Sequence, residues 1–301
     1  MSDLPLDLRR KLEKEYSLSV LKIARVRRSK DGTEKFLLEL GDDGNLIECV
    51  SIPSGNRVTG CVSSQAGCKF SCSFCASALG GFKRNLTTGE IISQVLTLKN
   101  NSTAGKLTHI VFMGSGEPLD NYDNVLKAIR IINSKEGFNI GARRITVSTC
   151  GIIPGIKKLA QEDLQIELSV SLHAADDKTR SRIVPINKKY PLKDLFACLK
   201  GYIKETNRQV TFEYILINGL NSDLQNAFNL SKMLTGLGLV KINLIAANPV
   251  KECGVMPPDK KEILAFKGQL LKEGIPVTLR VSRGSDIEAA CGQLRLKYAK
   301  D

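Results

Sequence analysis

No apolar run in the chain approaches the ~18–20 residues a membrane-crossing helix needs, so a helical membrane protein is excluded. The opening Met1-Ser2-Asp3-Leu4-Pro5 lacks the basic start and apolar stretch of a secretory signal. Without a signal, a disulfide-stapled extracellular scaffold is disfavoured, and nine cysteines in 301 residues is modest for one. The chain is therefore expected to be soluble, cytoplasmic and rich in free thiols. Acidic residues are also scarce: 31 Asp and Glu face 44 Lys and Arg, a formal net charge of +13. That excess favours a polyanionic partner, of which nucleic acid is the commonest. The basic pairs are dispersed, from Arg9-Arg10 and Arg27-Arg28 to Lys157-Lys158 and Lys188-Lys189, so only their sum is informative. No strongly amphipathic basic helix is present to insert into an anionic membrane. Internal repeats, low-complexity tracts and long linkers are missing too.

What is present is ample apolar material, 42% of residues, in an ordered pattern. A short helix is expected over 3–16, capped by Ser2 or Asp3 with Pro5 in its first turn. Segments 18–27 and 34–40 alternate apolar and polar residues around an Asp31-Gly32 turn, and 46–52 reads as a third strand. Residues 1–56 thus form a small β-rich accessory layer, with a loop at Pro53-Ser54-Gly55-Asn56. From 57 to 301 strands alternate with helices. Strands are predicted at 57–63, 107–113, 143–149, 165–171, 209–216, 240–246 and 276–282. Helices are predicted at 88–99, 121–133, 154–161, 191–205, 222–235, 258–273 and 286–299. Repeated βα units imply a parallel sheet with right-handed crossovers. Six or seven units are too few to close an eight-stranded barrel, so an open, partial barrel is expected, with ligands at the C-terminal strand ends.

Three cysteines, Cys68, Cys72 and Cys75, follow the first of these strands at C-x3-C-x2-C spacing. Thiolates suit zinc or iron–sulfur clusters. Three of them leave one iron of a 4Fe–4S cluster without a protein ligand, and an open position is where chemistry happens. Zinc is the rival reading, with Cys61 as fourth ligand. After the apolar strand Ile110–Met113 comes Gly114-Ser115-Gly116-Glu117-Pro118. Its glycines allow close backbone approach, and Glu117 can accept from an amine. In isolation this string reads as an ordinary turn.

The triplet, with Phe74 before its last cysteine, resembles the radical S-adenosylmethionine (SAM) signature, and the Gly116-Glu117-Pro118 string resembles that superfamily's amine-holding element. Longer strings narrow the resemblance to the RlmN/Cfr family of RNA adenosine methyltransferases. They are Cys61-Val62-Ser63-Ser64-Gln65-Ala66-Gly67-Cys68, Gly81-Phe82-Lys83-Arg84-Asn85-Leu86, Ser171-Leu172-His173-Ala174 and Ile183-Val184-Pro185-Ile186-Asn187-Lys188-Lys189-Tyr190. Ile242-Asn243-Leu244-Ile245 with Asn248-Pro249, and Asp286-Ile287-Glu288-Ala289-Ala290-Cys291-Gly292-Gln293-Leu294, agree. The match runs from about residue 45 to 295. It implies a (β/α)6-type radical SAM barrel in which Cys68, Cys72 and Cys75 ligate one 4Fe–4S cluster. Gly116, Glu117, Ser148, Ser171, Leu172, His173 and Asn248 would contact SAM. Cys291 would carry a methyl group, Cys61 would resolve the adduct, and Glu48 would accept a proton.

Carbon 2 of adenine is not a nucleophile, and the resemblance implies a way round this. One SAM methylates Cys291, a second yields a 5′-deoxyadenosyl radical that activates this methyl, and the resulting methylene radical attacks the base. Cys61 then releases the product and leaves a Cys61–Cys291 disulfide for reductant to reset. Two SAM per turnover, an electron donor such as flavodoxin or ferredoxin, and 23S rRNA with tRNA as substrates follow from the family, on a monomer. Without the family, Cys291 would read as a packed small residue, Glu48 as strand surface and His173 as a structural histidine. Cys49, Cys150, Cys198 and Cys253 match no role and are assigned to packing. Family members carry a longer N-terminal domain, so this chain is expected to lack its full form. Arg283-Gly284 leans to the RlmN side and Gly284-Ser285-Asp286 to the Cfr side, while Pro185-Ile186-Asn187-Lys188-Lys189 and Arg84-Asn85-Leu86 favour RlmN. The competing readings are a Cfr-like carbon-8 methyltransferase giving antibiotic resistance, a different radical SAM enzyme, and a zinc-stabilised RNA-binding module.

Overall fold

The computed structural model describes residues 4–16, 21–41, 43–249 and 253–294. Helix α1 (Leu6–Glu15) precedes strands β1 (Leu21–Arg28), β2 (Glu34–Leu40) and β3 (Leu46–Ser54). Then come β4 (Arg57–Cys61), the two-residue pair β5 (Gln65–Ala66) and β6 (Arg84–Asn85), and α2 (Thr88–Asn101). The series continues as β7 (His109–Phe112), α3 (Tyr122–Asn133), β8 (Ile145–Thr149), α4 (Ile153–Ala160), β9 (Glu167–Ser171), α5 (Asp177–Ile183) and α6 (Leu192–Thr206). It ends with β10 (Val210–Leu216), α7 (Leu224–Leu234), β11 (Val240–Ala246), α8 (Lys260–Lys272) and β12 (Val277–Arg280). No described helix is long and apolar enough to cross a membrane.

One ten-stranded sheet runs β1-β2-β3-β4-β7-β8-β9-β10-β11-β12. Strands β1 to β4 pair antiparallel, and every pair from β4–β7 to β11–β12 is parallel. In a flat sheet five strand intervals would set β7 about 24 Å from β12. Yet Arg280 Nη1 at the end of β12 reaches Met113 Sδ just after β7 at 4.0 Å. The parallel strands therefore curl into an open barrel, as the run of βα units implies.

The two faces of the strands explain the curl. In β10 the alternate residues Val210, Phe212, Tyr214 and Leu216 pack in the main apolar core on the helix side. Thr211, Glu213 and Ile215, between them, face the interior of the barrel. The same alternation places Ile242 and Leu244 outside and Lys241 and Asn243 inside on β11. A polar interior beneath an apolar outer layer leaves room for ligands rather than a filled core. Capping fixes the helix starts: Thr87 and Glu90 form a reciprocal capping box on α2, and Asp223 and Asp259 cap α7 and α8.

Some expectations are corrected. Pro5 caps α1 rather than lying in its first turn, while Ser2 and Asp3 lie outside the described residues, as do 17–20. The helix expected at 286–299 is not formed over its described part. Ser285–Ile287 is a single 3-10 turn, and Gly284, Glu288 and Gly292 have left-handed φ of 65°, 54° and 80°, which a right-handed helix cannot accommodate. Residues 295–299 lie outside the described region. Helix α5 was not anticipated, because its sequence DKTRSRI is short and has no apolar stripe; Asp176 caps it by accepting from Thr179 N.

Candidate active site

A single cavity of about 910 Å³, counted with its mouth, opens at the C-terminal ends of the parallel strands. Cys68, Cys72 and Cys75 line it together with Gly116, Glu117, Ser148, Ser171, His173 and Cys291. The cysteine segment is a loop stitched to the Cys291 loop: Ala76 N donates to Gly292 O at 2.7 Å and Ser77 Oγ to Leu294 O at 2.9 Å. Cys75 N turns back to Cys72 O, and Ser73 N reaches Ile183 O at the end of α5. Burial pushes Cys68 up to about 12 and also raises Cys72 and Cys75, with the neighbouring thiols adding to the effect on Cys68 and Cys72. Such thiols hold their protons until a cation displaces them, as metal binding does.

The donor set fits an iron–sulfur cluster better than zinc. Among the described residues no three of His, Cys, Asp and Glu are grouped to hold a single metal ion. A cluster takes each thiolate on a different iron, so its ligands surround a larger space. Cys61 does not join the triplet either: it packs with Val50, Val111, Ala289 and Leu294. The four-thiol zinc site weighed above is therefore not formed.

The Gly116-Glu117 turn forms the facing wall. Gly116 has φ of 100°, and a Cβ there would sit 2.5 Å from the Gln65 Cβ, so only glycine fits. Glu117 is 4% exposed. Its Oε2 accepts from Cys150 N at 2.7 Å and its Oε1 from Leu119 N at 3.0 Å. Burial outweighs these bonds and raises its pKa. The lone pairs left over can accept from an amine in the cavity. His173, at φ of 58°, accepts at Nδ1 from Ile215 N at 3.1 Å and meets Phe74 edge-on with centroids 4.6 Å apart. Burial lowers its pKa to about 3, so the ring is neutral.

Neither Leu172 nor Asn248 lines the cavity. Leu172 is fully buried, its carbonyl accepting from Arg180 Nε at 3.1 Å. Asn248 Nδ2 donates to Cys291 O at 3.0 Å and so steadies the Cys291 loop. Cys61 and Cys291 line a second, smaller recess beside the main cavity, with Met113, Arg280 and Ala289. Burial, with Cys291 adding, pushes Cys61 up to about 12, while Met113 N and Arg280 oppose the rise. Arg280, in the lining of the same recess, is raised by Cys291 first and then by Glu213 and Cys61. All nine cysteines carry free thiols, so no Cys61–Cys291 disulfide exists in this structure. Glu48 lines neither cavity; it is buried in an ion pair with Lys35 at 3.0 Å.

Sequence reasoning missed two residues, one in the wall and one that braces it. Cys150, assigned to packing, lines the main cavity beside Glu117. Arg180, on α5, is fully buried and donates to Leu172 O, Ser171 O, Cys150 O and Asn187 Oδ1. It thus ties the ends of β8 and β9 together. A lone arginine in a charged segment offers no signal of that role.

A cavity of thiols and an amine-accepting carboxylate, at the C-terminal mouth of an open parallel barrel, defines a cluster-dependent SAM enzyme. Residues 62–230 match the radical SAM superfamily. The chain is 48% identical over 302 residues to the "Probable dual-specificity RNA methyltransferase RlmN" of Thermoanaerobacter sp. (strain X514), covering 100% of this chain and 87% of that one. With the protein of that name from Clostridium acetobutylicum the identity is 46% over 304 residues, again covering 100% and 87%. The crystal structure of a radical SAM methyltransferase from Sphaerobacter thermophilus superposes with a TM-score of 0.95 at 45% identity, over 98% of this chain and 87% of that one. The chain belongs to the RlmN family of radical SAM RNA methyltransferases.

Proposed function

We propose that this enzyme adds a methyl group to carbon 2 of an adenosine in 23S rRNA, and of one in tRNA, through a methyl-cysteine on Cys291. The observation that carries this reading is the shared recess of Cys61 and Cys291 next to the three-thiol cavity. Cys68, Cys72 and Cys75 hold one 4Fe–4S cluster, while Gly116, Glu117, Ser148, Ser171 and His173 surround SAM, with Leu172 and Asn248 in support. Cluster and SAM, when bound, supply a 5′-deoxyadenosyl radical by reductive cleavage.

Cys291 acts first as a nucleophile, its sulfur taking the methyl of one SAM; a second SAM is used in the radical step, making two per turnover. The thioether methyl, stripped of a hydrogen atom, bonds to carbon 2 of the base. The adduct gives one electron to the oxidised form of the flavodoxin- or ferredoxin-like carrier, and Glu48 takes the carbon 2 proton. Cys61 then attacks the Cys291 sulfur; the released carbanion takes a proton and becomes the product methyl group. The transient Cys61–Cys291 disulfide is reset by a thiol reductant. Arg280, which lines the recess of both sulfurs, opposes the rise of Cys61 and so favours the thiolate this attack needs. We further propose an accessory layer at 1–56 and a catalytic core at 57–301 in a cytoplasmic monomer, reduced by a flavodoxin- or ferredoxin-like donor.

The test is an anaerobic single turnover with SAM labelled in its methyl group, a reductant and total unmodified RNA. Wild type is expected to give labelled 2-methyladenosine, Cys61→Ala a covalent RNA–protein adduct, and Cys291→Ala neither. Label at carbon 8 would move the enzyme to the Cfr-like reading. 5′-Deoxyadenosine without any methyl on Cys291 would sink the methyl-cysteine route.

A further inference from the structure

The barrel has a second mouth at its floor. A large cavity there is lined by residues from the N-terminal ends of the parallel strands, among them Arg57, His109, Thr146, Glu167 and Lys241. Met113, Glu213 and Arg280 line both this cavity and the three-thiol cavity above. The Cys61–Cys291 recess is continuous with the floor as well, sharing Ile52, Met113, Arg280, Val281 and Arg283 with it. Cys291 is therefore approachable from two sides, and the upper side is the one surrounded by the SAM-holding residues.

Charge distinguishes the floor. Its two carboxylates are already countered: Glu213 pairs with Arg280 at 3.3 Å and Glu167 with Arg208 at 3.4 Å. Among the described residues, Arg57, Arg143, Lys241 and Arg283 have no carboxylate at ion-pairing distance. Arg57 is bonded only to Thr59 Oγ1, and Arg143 to the Gln165 amide. Arg57 is held below its ordinary value by partial burial and by the like charge of Arg280. Four unneutralised cations around an open mouth are costly unless an anion comes to them. The walls between that mouth and Cys291 are apolar at Ile52, Val111, Met113 and Val281, and Val281 is 79% exposed.

We propose that RNA docks on the floor of the barrel, where Arg57, Arg143, Lys241 and Arg283 hold phosphates flanking the target, and the flipped adenine passes Ile52 and Met113 to reach Cys291. This inference rests on the proposed function and says which face takes the substrate. It gives the two reactants of the Cys291 sulfur opposite approaches, SAM from the strand C-termini and the base from below. A base that must contact a sulfur set in the wall of a recess has to leave its stack, and apolar walls favour the extruded ring. Phosphate contacts carry no sequence information, so the floor sets affinity and register rather than target choice.

The experiment compares wild type with a floor variant, Arg57→Gln/Arg143→Gln/Lys241→Gln, and an outer-helix variant, Lys157→Gln/Lys200→Gln/Lys204→Gln. The probe is an unmodified tRNA anticodon stem-loop, with binding followed across salt concentrations. Each lost phosphate contact lowers the slope of log K against log salt by about 0.7, so the floor variant should lose about 2 and bind ~10-fold or more weakly. The outer-helix variant should match wild type. Transfer of labelled methyl from SAM to Cys291, read without RNA, should be unchanged in the floor variant. Charge-keeping replacements at the same three positions, Arg57→Lys/Arg143→Lys/Lys241→Arg, should restore binding, which separates charge from folding. Unchanged affinity and slope in the floor variant, or an equal loss in the outer-helix variant, overturns the inference while wild type still methylates RNA. If wild type neither binds nor methylates RNA, the proposed function fails and the inference with it.

Discussion

The Lys35 ammonium lies 3.0 Å from Glu48 Oε1, and its Nζ also donates to Glu288 O at 3.0 Å. The two side chains are only 7% and 5% exposed. One buried cation therefore links the proposed proton acceptor on β3 to the loop that carries Cys291. Around it Asp31 Oδ2 accepts from Gly284 N at 3.0 Å and Asp286 Oδ1 from Ser29 Oγ at 2.6 Å. The turn between β1 and β2 thus clasps the loop of Cys291, the proposed methyl carrier.

Removing one partner of a buried ion pair strands the other. Lys35→Met is expected to cost ~3–5 kcal/mol in denaturant unfolding. Lys35→Met/Glu48→Gln should cost less than the two single changes added together. In turnover, Glu48→Gln should leave methylation of Cys291 intact and stop release of methylated RNA. An additive double variant would show that the pair is not coupled.

Gly116→Ala should lose SAM affinity and stability together. The new Cβ would meet Gln65, and φ of 100° disfavours any L side chain. A loss of at least ~1–3 kcal/mol is expected from the backbone strain alone. Calorimetric titration of SAM into the reconstituted protein, with a thermal melt alongside, reads both. Tight SAM binding by Gly116→Ala would contradict the close-approach role.

Arg180→Met should destabilise the mouth of the barrel. It leaves the carbonyls of Leu172, Ser171 and Cys150 without their shared donor, at ~1–3 kcal/mol for each buried group left unpaired. Hydrogen exchange should rise at the ends of β8 and β9 before it rises elsewhere. Uniform exchange across the chain would argue against this local role.

Acid should destabilise the protein through its histidines. His173 titrates near 6.5 when unfolded and is lowered to about 3 by burial in the fold. Between those values the unfolded chain binds a proton that the native one does not. Stability is therefore full above 6.5 and falls as pH drops, by up to about 1.4 kcal/mol per unit. His109, lowered to about 4 by partial burial, adds to the slope over the upper part of that window. His173→Asn tolerates the left-handed backbone and can still accept from Ile215 N, so its stability curve should be flatter between pH 3 and 6.5. An unchanged curve would show that His173 is not the titrating group.

Much of this was legible in one dimension, for reasons visible in particular residues. The seven parallel strands stood near their expected places because β9, β10 and β11 keep an apolar residue at every second position. The triplet and the Gly116-Glu117 turn were legible because their chemistry is local: close spacing of thiols and a glycine at positive φ. Errors fell where local pattern was silent. The segment 286–299 looked helical until the left-handed Glu288 and Gly292 were seen, and α5 hid behind a charged string. Cys150 looked like packing because nothing nearby in the sequence names Glu117 as its neighbour.

The sequence by itself determined the class of chemistry, since thiol spacing and strand periodicity are properties of neighbouring residues. Only the tertiary structure decided what meets what. Curling of the sheet brought Cys61 at the end of β4 to Cys291, and Arg280 to both. It put Lys35 between Glu48 and Glu288, and it gave the barrel a cationic floor opposite its thiol-lined mouth. These are contacts between residues far apart in the chain, fixed by packing the apolar strand faces against the helices, and no local pattern encodes them.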